Sequence, residues 1–340
     1  MRFRVDRKVI RAAAAVLAVL TLSLMGALLR SLWEGGTRTS EPAGELEDEG
    51  ELILYEDNWY APREDLETIL VLGLDRSEQD DIGTTGDYAQ SDLLLLLVLD
   101  REAGTYKAIQ LNRDTMAEIQ DFDDYGRPKG SYTAQLALAY AHAQAYTGND
   151  KIASMAAMDA VSGLLYGVDI DHYITLTMDG VIALNDLVGG VEVEIQDDFS
   201  AIDPTLVQGE RVTLLGRHAL NYVRARWYVG DSTNLERMER QQTYLLALLD
   251  KVSALAGEDS DALLSGLVEI NEYMNSDYTA EQLTNLLETV SGFRMERASM
   301  LEGEAVRVGD IMEFRVDEDA LRRLVVEDFY EPAEEPQSNG

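Results

Sequence analysis

Three short apolar runs lie close together near the start of the chain. They read T-I-L-V-L-G-L over residues 68–74, S-D-L-L-L-L-L-V-L-D over 91–100 and T-Y-K-A-I-Q-L over 105–111. Each has the length of a strand and is bounded by turn residues. Their apolar positions are continuous rather than alternating, the mark of strands covered on both faces. Later, apolar spacing predicts helices over 132–146, 152–165, 178–187, 216–224, 234–252, 261–274, 279–290 and 319–326. Strands are expected over 173–177 and 191–195, the latter with one wet face, and a hairpin over 305–316 turning at Gly309-Asp310. Residues 52–60 read as a short strand or an extended lead-in, and 121–130 as a polar turn. Strands and helices alternate without a linker break. The expected fold is therefore α/β, a mixed central β-sheet flanked by helices, formed by residues 65–331.

The first residues follow another pattern. Residues 1–11 hold Arg2, Arg4, Arg7, Lys8 and Arg11 against Asp6, and 12–29 are uncharged. A helix over that run rises about 27 Å, near the hydrocarbon thickness of a bilayer. Trp33 stands where an interface anchor belongs. The expected order is a cytoplasmic N-terminus (1–11), one transmembrane helix (12–33), a linker and lead-in (34–64), the extracytoplasmic domain (65–331) and a disordered tail (332–340). A cleaved signal peptide is the competing reading, but no small-x-small cleavage site is apparent.

Composition narrows the chemistry. The chain of 340 residues has no cysteine and a formal net charge of −35. Thiol chemistry and disulfides are excluded, and so much negative charge argues against nucleic acid as a partner. His142, His172 and His218 are isolated, which argues against zinc. No G-x-S-x-G, Walker A or G-x-G-x-x-G pattern occurs.

What remains are acids and arginines at the ends of the apolar runs. Asp75 ends the first and Asp92 begins the second. If those strands are neighbours, the two carboxylates converge and can hold Mg²⁺ (or Mn²⁺) with water and phosphate oxygens; otherwise each is a loop or cap acid. Arg113, Arg224, Arg226, Arg237 and Arg240 stand out in so acidic a chain, either as an anion cradle or as salt-bridge partners of the surplus acids. Gln241 shares a helix face with Arg237, and Asp231 and Asn234 are caps or ligands. The Leu93–Leu97 run and A-Q-L-A-L-A-Y-A-H-A are core, or in a functional reading the lining of a lipid slot.

The ordered set I-L-V-L-G-L-D, S-D-L-L-L, N-R-D-T, A-Y-A-H, I-D-H-Y-I, M-D-G-V-I-A-L-N-D-L-V-G-G-V-E-V, L-L-G-R-H-A-L-N-Y-V-R-A-R and G-D-S-T-N-L-E-R-M-E-R-Q-Q resembles the LytR-CpsA-Psr family. The resemblance implies a membrane-anchored, Mg²⁺-dependent phosphotransferase facing the cell wall. Such an enzyme moves a glycopolymer phosphate, of the teichoic acid or capsule kind, from a polyprenyl-pyrophosphate carrier to a peptidoglycan sugar hydroxyl. It implies metal binding by Asp75 and Asp92, and pyrophosphate binding by Arg113, Arg224, Arg226 and Arg237 with Gln241 close by. Asp75, Asp92 and Arg113 would be the catalytic group. The chain departs from the pattern in three places: Gln90 stands where Arg is usual, Gln135, Leu136 and Ala137 replace K-[LI]-N, and the loop between Asp75 and Asp92 is long and acidic. Gln90 and the lost K-[LI]-N support one alternative, a non-catalytic envelope protein that binds polyprenyl phosphates or wall polymer; a third reading is a pyrophosphatase using water as acceptor.

Overall fold

The computed structural model describes residues 47–49, 52–76, 89–232, 234–258, 266, 270–279, 282, 286 and 293–335. In chain order, β1 (Glu47–Glu49), β2 (Leu52–Tyr55) and β3 (Asn58–Pro62) precede β4 (Leu66–Leu74), β5 (Ser91–Asp100) and β6 (Thr105–Leu111). A hairpin of β7 (Met116–Phe122) and β8 (Pro128–Gln135) leads to α1 (Leu138–Thr147) and α2 (Asp150–Leu164). Then come β9 (His172–Thr177), α3 (Met178–Leu187), β10 (Val191–Glu194), β11 (Arg211–Leu214), α4 (Arg217–Arg224) and α5 (Asn234–Glu258). The chain closes with β12 (Met274–Ser276), β13 (Arg294–Met300), β14 (Gly303–Val308), β15 (Ile311–Val316), α6 (Glu318–Phe329) and β16 (Tyr330–Pro332).

The central sheet has six strands in the order β12-β9-β4-β5-β6-β13. β4, β5 and β6 are antiparallel neighbours, whereas β9 joins β4 and β13 joins β6 in parallel. This is the expected mixed sheet, and the three apolar runs are its middle. Leu94 to Leu99 are almost wholly buried. On one face Leu70, Leu72, Leu94, Leu96 and Ile109 pack with residues of α1, α2 and α6. On the other, Ile69, Val71, Leu95, Leu97 and Tyr106 pack with Tyr278 and Leu286. At roughly 1.5–3 kcal/mol per buried side chain, these strands anchor the molecule. A separate apolar cluster joins α3, α4, α5, β10 and β11.

Local signals worked where they were complete. The Asn149 side chain caps α2 by accepting from the Lys151 and Ile152 amides. Gly189 and Gly190, at φ 75° and 87°, stop α3, and Gly309, at φ 61°, turns the β14–β15 hairpin. Two expectations need correction. The helix expected over 132–146 begins only at Leu138, because Tyr132 and Ala134 pair with Ile119 and Ala117 across the β7–β8 ladder. The polar turn expected over 121–130 is present as the tip of that hairpin. The lead-in is likewise a hairpin, turning through Glu56 and Asp57 at φ 49° and 61°. Its Ile53 and Tyr55 bury against Val326 of α6, and β3 pairs with β16, so residue 332 also belongs to a sheet.

The helices expected over 261–274 and 279–290 fall mostly outside the described residues, although Met274 begins the edge strand β12. The expected transmembrane helix over 12–33 lies outside them entirely. Among the described residues no helix is long and apolar enough to cross a membrane.

Candidate active site at one end of the central sheet

The β4–β5 pairing brings the two acids together. Leu74 faces Ser91 across a register shift, and the Asp75 amide extends the ladder by donating to the Gln90 carbonyl at 2.8 Å. Asp92 therefore sits one residue into β5 beside the end of β4. Burial raises the Asp75 carboxyl above the usual carboxylate range, and the nearby Asp92 charge raises it further.

Each acid is held by arginines from other segments. Arg113, just past β6, donates from Nη1 to Asp92 Oδ1 and from Nη2 to Gln90 Oε1. Arg237, in the first turn of α5, donates to Asp92 Oδ2 at 3.0 Å. Arg224, the last residue of α4, reaches Asp75 at 2.8 Å. After Arg224 the chain runs extended through Ala225 (ψ 127°), which lets Arg226 reach Asp114 at 3.5 Å. Arg113 Nε lies 3.6 Å from the same Asp114. Arginines from three stretches of chain thus close on acids at one sheet end.

Gln241, one turn beyond Arg237, donates to the Val223 carbonyl at 3.2 Å and leaves its Oε1 buried without a hydrogen bond. Arg240 does not join the group. It pairs with Asp197 at 2.9 Å, donates to the Ala225 carbonyl and lies over the Phe199 ring, so its role is structural. Asn234 opens α5 and is tied to the site by its side chain. Its Oδ1 accepts from Arg237 at 2.6 Å, and its Nδ2 donates to Asn112 Oδ1 at 2.7 Å.

Sequence reasoning assigned no role in the site to Asp114 or to Gln135. Asp114 is buried between Arg113 and Arg226, and Gln135 Nε2 donates to it at 3.0 Å and to the Met312 carbonyl at 2.7 Å. The Phe314 amide donates to the Asp114 carbonyl at 2.8 Å, which fastens the β14–β15 hairpin to the site. Asp114 stands in N-R-D-T, so its motif was visible while its partners, far away in sequence, were not.

Beside these charges lies an apolar slot. Val71, Gly73 and Leu93 of the sheet face Met178, Val181 and Leu184 of α3 and Tyr244 and Leu248 of α5, with Asp92, Arg224 and Gln241 at the charged end. Of the Leu93–Leu97 run only Leu93 lines it, and the alanine-rich stretch over 134–143 packs under the other sheet face. The slot encloses about 90 Å³. A cavity of ~150 Å³ takes a benzene, so a longer hydrocarbon needs the slot to widen or must run out of its open side.

Asp75 and Asp92 are near enough for one charge to raise the other carboxyl, and among the described residues no group of three or more His, Cys, Asp or Glu gathers to hold a metal. Two hard oxygen donors that repel one another fit a Mg²⁺-like ion, which keeps waters and takes phosphate oxygens.

Comparison with known proteins places the chain. A family model described as LytR_cpsA_psr matches residues 43–327. The chain belongs to the LytR-CpsA-Psr family. Cell wall biosynthesis protein LcpA of Corynebacterium glutamicum is 33% identical over 196 residues, 53% of this chain and 36% of LcpA. Polyisoprenyl-teichoic acid–peptidoglycan teichoic acid transferase TagU of Enterococcus faecalis is 26% identical over 76% of this chain and 77% of TagU. A protein of known structure from Streptococcus agalactiae superposes with a TM-score of 0.61 at 21% identity, covering 78% of this chain and 88% of its own. That likeness bears on the fold.

Proposed function

We propose that this LytR-CpsA-Psr protein transfers a glycopolymer phosphate from a polyprenyl-pyrophosphate carrier to a sugar hydroxyl of peptidoglycan. The relative TagU bears the name of such a transferase. The observation that carries the reading is the convergence of Arg113, Arg224, Arg226 and Arg237 with Asp75 and Asp92 beside an apolar slot. A diphosphate with a hydrocarbon tail combines those features: guanidinium groups bind its oxygens, and the slot, once widened, takes the tail.

Asp75 and Asp92 would hold Mg²⁺ or Mn²⁺. When bound, the ion neutralises charge on the phosphates. The arginines that lie on the acids are the groups that would meet the phosphate oxygens of a bound donor. The acceptor oxygen bonds to the transferred phosphorus, the bond from that phosphorus to the bridging oxygen breaks, and lipid monophosphate leaves. Arg113, Arg226 and Arg237 stabilise the charge developing on the transferred group and on the leaving phosphate. The acceptor proton passes to Asp75, whose carboxyl burial raises above the usual carboxylate range. Residues 12–33 would anchor the chain in the membrane, with residues 65–331 forming the extracytoplasmic catalytic domain.

The test is transfer from a synthetic polyprenyl-diphosphate glycan to peptidoglycan in vitro. Arg113→Ala and Arg226→Ala should each abolish the product while circular dichroism shows a retained fold. Wild-type rates in either variant would remove the assignment. Binding of donor without metal-dependent turnover would favour the non-catalytic alternative.

A further inference from the structure

The loop that follows the site arginines has no part in the mechanism above. Trp227 is 56% exposed and Tyr228 77% exposed, large apolar surface in water directly after Arg226. The Arg226 guanidinium lies 5.0 Å from the centre of the Trp227 ring while also reaching Asp114. The indole therefore borders the charged pocket.

The loop is held in shape rather than loose. Tyr228, Gly230 and Ser232 have φ of 66°, 55° and 64°. The left-handed region costs roughly 1–3 kcal/mol for a residue other than glycine, and such strain collects at functional surfaces. The Tyr228 amide donates to Ser232 Oγ at 3.2 Å, and the Asp231 amide to Glu236 at 2.8 Å. A Cβ on residue 230 would stand 2.1 Å from Glu236 Oε2, so a side chain there would push the Glu236 carboxylate away from the Asp231 amide. Val229 is buried and pins the loop from within, leaving the two aromatic side chains outward.

We infer that Trp227 and Tyr228 form a stacking platform for a neutral pyranose ring of the acceptor glycan. The word acceptor rests on the transfer reading; the platform does not. Aromatic faces take the C–H faces of sugar rings. Two observations favour a glycan over a bilayer as the occupant. A chain with a net charge of −35 is repelled by an anionic leaflet, whereas an uncharged sugar is indifferent to that field. The lining of the apolar slot includes Arg224 but neither Arg226 nor the aromatic pair, so this loop does not extend the hydrocarbon surface.

The experiment uses the full chain in detergent and two probes: a β-1,4-linked tetramer of N-acetylglucosamine, and farnesyl diphosphate for the donor pocket. The double variant W227A/Y228A should bind the tetramer at least about tenfold more weakly than wild type. It should bind farnesyl diphosphate as wild type does and melt at the same temperature, since both side chains are exposed. No tetramer binding by wild type, or equal binding by the variant, overturns the inference. So does loss of adhesion to phosphatidylglycerol vesicles with tetramer binding intact, which would make the pair a membrane contact. Wild-type protein that binds the tetramer through the pair but yields no transfer product keeps the platform and removes the transfer reading.

Discussion

The two acids of the site are held in opposite ways. Asp92 is buried, and each of its oxygens is held by a guanidinium, one of them from Arg237 with a side chain only 3% exposed. Asp75 meets one arginine, Arg224, whose side chain is 51% exposed. The chemistry of the pairs is the same and their surroundings differ. The buried half is part of the fold and stays assembled without substrate. The rim half is a latch that water weakens, free to exchange a carboxylate for a phosphate.

The largest difference is expected from Asp92→Ala. Burial already pushes the Arg237 guanidinium below its usual value, and Asp92 opposes that shift. Removing the carboxylate leaves a buried cation uncompensated, which costs roughly 3–5 kcal/mol. Denaturant unfolding should show that loss. Arg224→Ala removes a half-exposed pair, and its cost should stay under about 1 kcal/mol. Its effect should appear in function instead, as donor binding roughly tenfold or more weaker, the scale of one charge-assisted hydrogen bond. Equal destabilisation by the two variants would erase the distinction between fold and latch.

A smaller effect separates the acids by pH. The Asp75 carboxyl is raised, by burial first and by Asp92 second. A raised acid binds its proton more tightly in the folded state, so stability is greater below the unfolded pKa and falls as pH rises through the folded one. Asp75→Asn should remove that decline, and the two melting curves should separate as pH rises above the ordinary carboxylate range. Added Mg²⁺ should raise the wild-type melting temperature at neutral pH and lose its effect as the solution is acidified. A wild-type curve parallel to that of Asp75→Asn at all pH values would mean that Asp75 feels neither burial nor Asp92.

Much of this was legible in the chain because the signals were local. Apolar runs bounded by turns gave β4, β5 and β6, and adjacency of β4 and β5 alone brings Asp75 near Asp92. The arginines stood out by contrast with an acidic background. What stayed hidden depended on partners far apart in sequence. Nothing near Arg240 pointed to Asp197 and Phe199, and nothing near Gln135 pointed to Met312. The β7–β8 hairpin was hidden for another reason. Tyr132, Ala134 and Leu136 satisfy alternation, while their alanine-rich continuation satisfies a helix, and only pairing with β7 decides between them.

The finest distinction concerns Gln90, which takes the position where the family pattern has arginine. Its Oε1 accepts from Arg113 Nη2, so the amide holds by hydrogen bonding a guanidinium that an arginine would repel. Gln90→Arg should therefore act on the buried half in two opposed directions. Without substrate, Arg113 loses an acceptor and gains a like charge, which should lower stability by about 1 kcal/mol. With a diphosphate bound, the added cation finds an anionic partner, and affinity for farnesyl diphosphate should rise. Measuring both on one variant decides the role of the amide. Tighter diphosphate binding with lower stability means that Gln90 favours the assembled empty site over donor affinity. Unchanged affinity would place the phosphates away from β5, on the rim side with Arg224.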